Sequence, residues 1–101
     1  MRMLMNVKFP HEPFNTAVRD GTAGAKIDRI LRSIRAKAAY FTEQDGVRSV
    51  ILIVDLKDPS KIPALAEPFF LAFQAKVELR VVMTPVDLKK SGLEQLGRRW
   101  G

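Results

Sequence analysis

The sequence predicts a mixed α+β fold in which four strands and two long helices run in the order β-α-β-β-α-β, followed by a last helix. Three observations carry this. Apolar and polar residues alternate with period two in several segments; apolar residues recur at i, i+3, i+4 and i+7 in others; and Asp45-Gly46 stands between two strand-like runs, a dipeptide that supplies the positive φ angles of a tight hairpin turn. With 101 residues, 47% of them hydrophobic and 28% charged, the chain is expected to form one domain over residues 1–101.

Arg2 to Phe9 alternates, with Met3, Met5, Val7 and Phe9 on one side and Arg2, Leu4, Asn6 and Lys8 on the other, which reads as the first strand. Pro10-His11-Glu12-Pro13 cannot continue a ladder at either proline, so a rigid loop is expected there, with Asn15 capping the helix that follows. In that first helix Ile27, Ile30, Leu31, Ile34 and Ala38 fall at i, i+3, i+4, i+7 and i+11 and form one apolar stripe opposite the arginines. Gly21 and Gly24 each cost about 1 kcal/mol relative to alanine inside a helix, so its first turns are expected to be loose or closely packed.

Lys37 to Asp55 reads as two strands joined at Asp45-Gly46. Pairing Gln44 with Val47 sets Glu43 opposite Arg48 as a cross-strand charge pair and puts Ala39 and Phe41 on the face of Val50 and Leu52. The opposite face carries Tyr40, Ile51, Ile53 and Asp55. Because the second of these strands is apolar on both sides, it is expected to be central, with both faces covered. Asp58-Pro59-Ser60 opens a second helix with Ile62, Leu65, Ala66, Phe69 and Phe73 on one side, which Pro68 is expected to kink or split. Lys76 to Thr84 alternates again, with Val77, Leu79, Val81 and Met83 against Glu78, Arg80 and Val82. Thr84-Pro85-Val86-Asp87 then offers a cap, a first-turn proline and a first-turn acid for a last helix over about residues 85–99, closed by a basic tail and Trp100.

Seventeen Lys and Arg against eleven Asp and Glu give a net charge of +6. The excess belongs to two segments, Lys26 to Lys37 and the C-terminal part from Asp87. A basic stripe of Lys26, Arg29, Arg32 and Arg35 reads as the solvated face of an amphipathic helix, with weak nonspecific contact to nucleic-acid phosphates as the alternative. With no cysteine and one histidine, disulfides, thiolate metal sites, cysteine nucleophiles and multi-histidine metal sites are excluded within one chain; no metal and no cofactor are expected. The longest aliphatic run, Val50 to Val54, is far below the ~20 residues of a membrane helix. Met1 to Lys8 is too short and polar for a signal peptide, so no membrane partner is expected and the cytoplasm is the default compartment.

The element order is that of the ferredoxin-like split βαβ arrangement with one helix added. Such a sheet packs its helices on one face, and the other face would carry Leu4, Tyr40, Ile51, Ile53 and Val82, a patch of the kind that marks an interface. A second copy related by a two-fold axis is the simplest cover, which predicts a homodimer. Lys8, Asp55, Arg80 and Tyr40 would add inter-subunit polar contacts. On these grounds the chain resembles the dimeric α+β-barrel superfamily, and the resemblance implies two sheets closing a barrel. That superfamily includes cofactor-independent monooxygenases, haem-degrading enzymes, small isomerases and dehalogenase-like proteins, and topology alone transfers none of these activities. The stretches Phe9-Pro10-His11-Glu12-Pro13-Phe14-Asn15, Arg19-Asp20-Gly21-Thr22-Ala23-Gly24, Ile62-Pro63-Ala64-Leu65-Ala66-Glu67-Pro68 and Val82-Met83-Thr84-Pro85 resemble those of a small bacterial family with no assigned activity.

Four side chains are candidates for a site. Asn6 matches the first-strand asparagine of the superfamily's haem-degrading and quinone-forming members, but His11 and Trp100 do not fall where their histidine and tryptophan do. His11 and Glu12, held between two prolines, pair a near-neutral imidazole with a carboxylate, the equipment of acid-base chemistry, or form an ordinary surface pair. Glu67 would be the polar anchor of an apolar pocket lined by Phe69, Phe70 and Phe73 between the second helix and the sheet. Gly21 to Lys26 lacks phosphate-loop spacing. The strand Arg48 to Asp55 has no aromatic residue for stacking on bases, which disfavours RNA on the sheet.

The expected function is that of a cofactor-free homodimer binding a small anionic or partly apolar molecule near the second helix. The alternatives are a structural or interaction dimer without a ligand and a nonspecific nucleic-acid binder. No motif names a reaction, so the sequence does not decide whether the protein is an enzyme. An enclosed cavity reached by Glu67 or His11 would support the ligand, whereas a solid interior with both side chains in solvent would leave the small-molecule reading without physical support.

Overall fold

Four antiparallel strands form one sheet in the order β2-β3-β1-β4 in a computed structural model that describes residues 1–101. β1 (Arg2–Lys8) and β3 (Val47–Asp55) are central, while β2 (Ala38–Gln44) and β4 (Lys76–Val81) are the edges. The α+β class and the sequence of strands and helices are as the pattern predicts, but the barrel is not present. The sheet is open, β2 and β4 do not pair, and the expected α+β barrel is corrected to an open four-stranded sheet with helices on one side.

The hairpin has the register expected from Asp45-Gly46: Gln44 faces Val47, Glu43 faces Arg48, and both turn residues have positive φ, 55° and 76°. The Glu43–Arg48 ion pair does not form. Arg48 lies instead over the Phe14 ring, 4.6 Å from its centroid, and its Nη1 donates to Asn15 Oδ1 at 2.7 Å, while Glu43 accepts from the Gly46 N–H at 3.1 Å. Asn15 is therefore no N-cap. It sits inside α1 (His11–Arg19), and Glu12, with non-helical dihedrals, accepts from the Thr16 N–H at 3.1 Å and the Thr16 hydroxyl at 2.7 Å.

The first helical region is two helices rather than one. α1 ends at Arg19, Gly21 adopts φ +78°, and α2 (Ala23–Ile34) starts afresh, because Asp20 accepts from the Thr22 N–H and hydroxyl and holds the turn open. Gly24 has open space around it, so close packing is not its reason. Ala38 belongs to β2, since Arg35 at φ 53° terminates α2.

After β3 a 3-10 turn, Pro59–Lys61, leads into α3 (Ile62–Phe73), which continues unbroken through Pro68. The C-terminal segment forms α4 (Pro85–Lys90) and α5 (Leu93–Trp100), separated at Gly92, whose φ of +74° no helix interior accommodates.

The core lies between the sheet and α1 to α3. Met5, Val7, Val50, Leu52 and Val54 are fully buried against Ile27, Ile30, Ile34, Leu65, Phe69 and Phe73. Four phenylalanines close one end: Phe9, just after β1, meets Phe14 and Phe73 edge-on with centroids 5.1 and 5.3 Å apart and Phe69 at 6.0 Å, and Phe14 stacks on Phe73 at 4.8 Å. Such pairs contribute roughly 0.5–1.5 kcal/mol beyond their burial. No helix is long and apolar enough to cross a membrane.

Candidate functional site: a basic cleft beside α2 and α3

A concentration of unpaired positive charge assembles from two separate segments. The left-handed turn at Arg35 reverses the chain after α2 and brings Arg35 and Lys37 alongside the end of β3. The 3-10 turn, whose Asp58 side chain accepts from the Ser60 N–H at 2.9 Å, carries Lys57 and Lys61 to the same place. Together they line a cleft of about 420 Å³ with Ser33 at its wall and Ile34, Ala64 and Leu65 as its apolar floor. Asp55 is its one carboxylate. That carboxylate is engaged by the N-terminal ammonium at 2.9 Å, which holds it below the ordinary aspartate range, with Lys37 and Lys57 pulling the same way.

A second cleft of about 460 Å³ adjoins the first through Ser33 and runs between α2 and α3, with Lys26 and Arg29 on one side and Pro68, Leu71 and Ala72 on the other. The two have the size of small-molecule sites. Lysine and arginine donate and cannot accept, so the cleft offers charge and hydrogen-bond donors over an apolar floor. That is equipment for holding an anion with an apolar part.

The side chains singled out from the sequence do not come together. Asn6 is on the bare sheet face, where it exchanges two hydrogen bonds with Gln44, Nδ2 to Oε1 at 3.0 Å and Nε2 to Oδ1 at 2.6 Å. His11 is exposed at the start of α1, Glu12 is held by Thr16 and Arg19, and Glu67 is exposed on α3. None of the four lines a cleft. The pocket expected between α3 and the sheet is filled: Phe69 and Phe73 are fully buried in the phenylalanine cluster, and Phe70 points outward. The ligand site expected near the second helix, reached by Glu67 or His11, therefore has no space to occupy, and the small-molecule reading loses the support expected for it there. No group of three metal-ligating side chains converges.

Of the expected interface, Leu4, Ile51, Ile53 and Val82 are half-buried and Tyr40 is 67% exposed. Ile53 and Leu4 are register neighbours across the two central strands, flanked by Ala38 and Arg80, and Ile51 lies between Tyr40 and Asn6. Lys8 forms its ion pair within the chain, with Asp45 at 2.8 Å, and Arg80 with Glu78 at 3.5 Å.

No protein-family model matches the chain, and the open sheet overturns the expected membership of the barrel superfamily. No curated protein matches it either. Among solved structures it is similar to a 5-chloro-2-hydroxyhydroquinone dehydrochlorinase from Burkholderia phenoliruptrix, in complex with 2,5-dihydroxybenzoquinone. The two are 17% identical over 86% of this chain and 99% of the other, with a TM-score of 0.49.

Sequence reasoning missed Arg35, Lys37, Lys57 and Lys61 as a set. The available signal was local: Arg35 and Lys37 lie where the predicted first helix gives way to a strand, and Lys57 and Lys61 flank a predicted helix start.

Proposed function

We propose that the protein binds a small anionic molecule with an apolar part in the cleft of Arg35, Lys37, Lys57 and Lys61. The observation that carries this is the imbalance of the cleft: four cations meet over an apolar floor, and the only carboxylate among them already has a partner. Four like charges held together repel one another, and an anion relieves that repulsion. Naphthalene-2-sulfonate, which joins an anion to an apolar ring, is the probe. Calorimetric titration is expected to show saturable binding, weakened about tenfold or more in Lys57→Glu/Lys61→Glu. Equal affinity in the variant, or no saturation in the wild type, rejects the cleft. Duplex DNA binding that is tight and steeply salt-dependent would favour a nucleic-acid role instead.

A second reading concerns assembly. The bare face of the sheet, with Leu4, Ile51 and Ile53 at its centre and Tyr40 at its side, supports a homodimer in which a second copy covers it, without closure into a barrel. Light scattering at micromolar concentration is expected to give a dimer mass, lost in Ile53→Lys, which would bury an unpaired charge at the interface. The cytoplasm as compartment belongs to this same reading.

A further inference from the structure

The basic cleft does not end at Ser33. Along α2, Lys26, Arg29, Ile30 and Ser33 recur at i, i+3, i+4 and i+7, and from the cap of α3, Lys61, Ala64, Leu65, Pro68, Leu71 and Ala72 recur at i, i+3, i+4, i+7, i+10 and i+11. Each helix thus turns one continuous face to the other. The end of α2 lies beside the start of α3 and the start of α2 beside its end, so the helices run antiparallel and the two clefts are halves of one furrow. Ser33, Ala64 and Ala72 are too small to fill it. At the far end Leu71, 83% exposed, stands beside Lys26 and Arg29. The charges occupy the two ends: Lys26 and Arg29 at one, Arg35, Lys37, Lys57 and Lys61 at the other, and none of the six forms an ion pair. Asp20, close enough to Lys26 to feel its charge, is already engaged by the Thr22 N–H and hydroxyl. At ~1.5 Å per residue, Lys26 and Arg29 precede Arg35 along the helix by roughly 9–14 Å. Between the ends lie Ile30, Ser33, Ile34, Leu65 and Pro68, with no charge among them.

We propose that this furrow takes one elongated dianion, a molecule with an anionic group at each end of an apolar middle. The inference rests on the cleft reading above and specifies its class of ligand. Charge complementarity sets the occupant. A ligand with a single anionic group satisfies the four-cation end and leaves Lys26 and Arg29 unmatched beside the bare Leu71. A ligand with both charges close together must lay one of them on Ile30, Ile34 and Leu65, where nothing repays its lost hydration. Arg29 at one end and Arg35 at the other each present a planar guanidinium fork that matches a carboxylate or a phosphate. A nucleic-acid strand fits the furrow less well, because its phosphates recur about every 3.4 Å and the middle has no cation to meet them.

Biphenyl-4,4'-disulfonate, a rigid apolar rod with a sulfonate at each end, is the probe. Its affinity and stoichiometry are measured by calorimetry against biphenyl-4-sulfonate and against benzene-1,3-disulfonate, which carries both charges on one ring. The proteins are the full chain, Lys26→Ala/Arg29→Ala and Lys57→Glu/Lys61→Glu, and all four positions are exposed, so folding is not at stake. One rod per chain is expected, bound about tenfold or more tighter than either control. Lys26→Ala/Arg29→Ala is expected to erase that advantage and to leave the affinity for biphenyl-4-sulfonate within about twofold of the wild type. The inference is overturned if the rod gains nothing over biphenyl-4-sulfonate, if benzene-1,3-disulfonate binds as tightly, if two rods bind per chain, or if the advantage survives in Lys26→Ala/Arg29→Ala. In each of those cases, saturable binding of biphenyl-4-sulfonate that is lost in Lys57→Glu/Lys61→Glu keeps the cleft reading on its own. Rod binding that is indifferent to Lys57→Glu/Lys61→Glu, or no saturation by any of the three compounds, removes both.

Discussion

α2 and α5 carry the same kind of pattern and meet opposite fates. In α2, Ile27, Ile30 and Ile34 are buried against the sheet and α3, and the arginines face solvent; in α5, Leu93, Leu96 and Trp100 are as regularly spaced and all exposed. An amphipathic pattern specifies a face and leaves its partner unspecified. Twelve residues with neighbours on both sides find that partner within the chain. Eight residues beyond a left-handed Gly92 do not.

Truncation of one large side chain in each region is expected to have very different effects. Phe73→Ala removes a fully buried ring shared by Phe9 and Phe14 and is expected to cost about 3–5 kcal/mol in urea unfolding. Trp100→Ala, measured where the protein is monomeric, is expected to change the same quantity by less than ~0.5 kcal/mol. Comparable losses in the two variants would mean that α5 is part of the cooperative body.

A smaller effect separates local from global stability. Thr84 caps α4, accepting from the Asp87 N–H at 3.1 Å, while Asp87 accepts from the Thr84 N–H at 3.0 Å. Thr84→Ala is expected to remove about 1 kcal/mol from α4. It should appear as faster amide exchange at Leu88 with the global unfolding midpoint unmoved, and a shifted midpoint would show that the C-terminal helices are coupled to the body.

The smallest effect is electrostatic and touches both regions. Hydrogen bonds from the Thr16 hydroxyl to Glu12, the Thr22 hydroxyl to Asp20, Lys8 to Asp45, the N-terminal ammonium to Asp55 and the Thr84 backbone to Asp87 hold these carboxyls below their ordinary values of 4.5 for Glu and 3.8 for Asp. A carboxylate depressed in the folded state contributes stability above its unfolded value and loses it as pH falls through the folded one. Lys8 is raised above 10.5 by Asp45, so its contribution is present below that value and is lost as pH rises through the folded value. The carboxylates are exposed and screened, so each contribution is small. A thermal midpoint that is level near neutrality and declines from about pH 5 to about pH 2 is expected. A midpoint unchanged over that acid range would remove the contribution of these bonds.

Where local chemistry and apolar period agreed, the sequence could be read to single-residue register. Asp45-Gly46 set the turn, and one slip would have turned Val50 and Leu52 out of the core. Where two local signals competed, the weaker one won unseen: the apolar stripe from Ile27 to Ala38 suggested one helix, but Gly21 and Arg35 in left-handed conformations bounded it more tightly. The ion pair expected from Glu43 and Arg48 failed because a ring and an amide from α1, distant in sequence, competed for the guanidinium. The cleft was hidden for a related reason. Arg35 reads as part of a helical stripe and Lys37 as the start of a strand, and Lys57 and Lys61 had no reason to join them until the chain folded.

The two edges of the open sheet differ in what they present to solvent. β4 alternates Lys76, Glu78 and Arg80 along its length, charges that discourage another strand from adding to it. β2 reads Ala38-Ala39-Tyr40-Phe41-Thr42, five residues without a charge, before Glu43 interrupts it. An uncharged edge with aromatic side chains on both faces is a template for strand addition, the geometry from which unbounded ribbons grow. The chain's susceptibility to aggregation is thus concentrated at β2, and a lysine at Thr42 is the single change that would make the two edges alike.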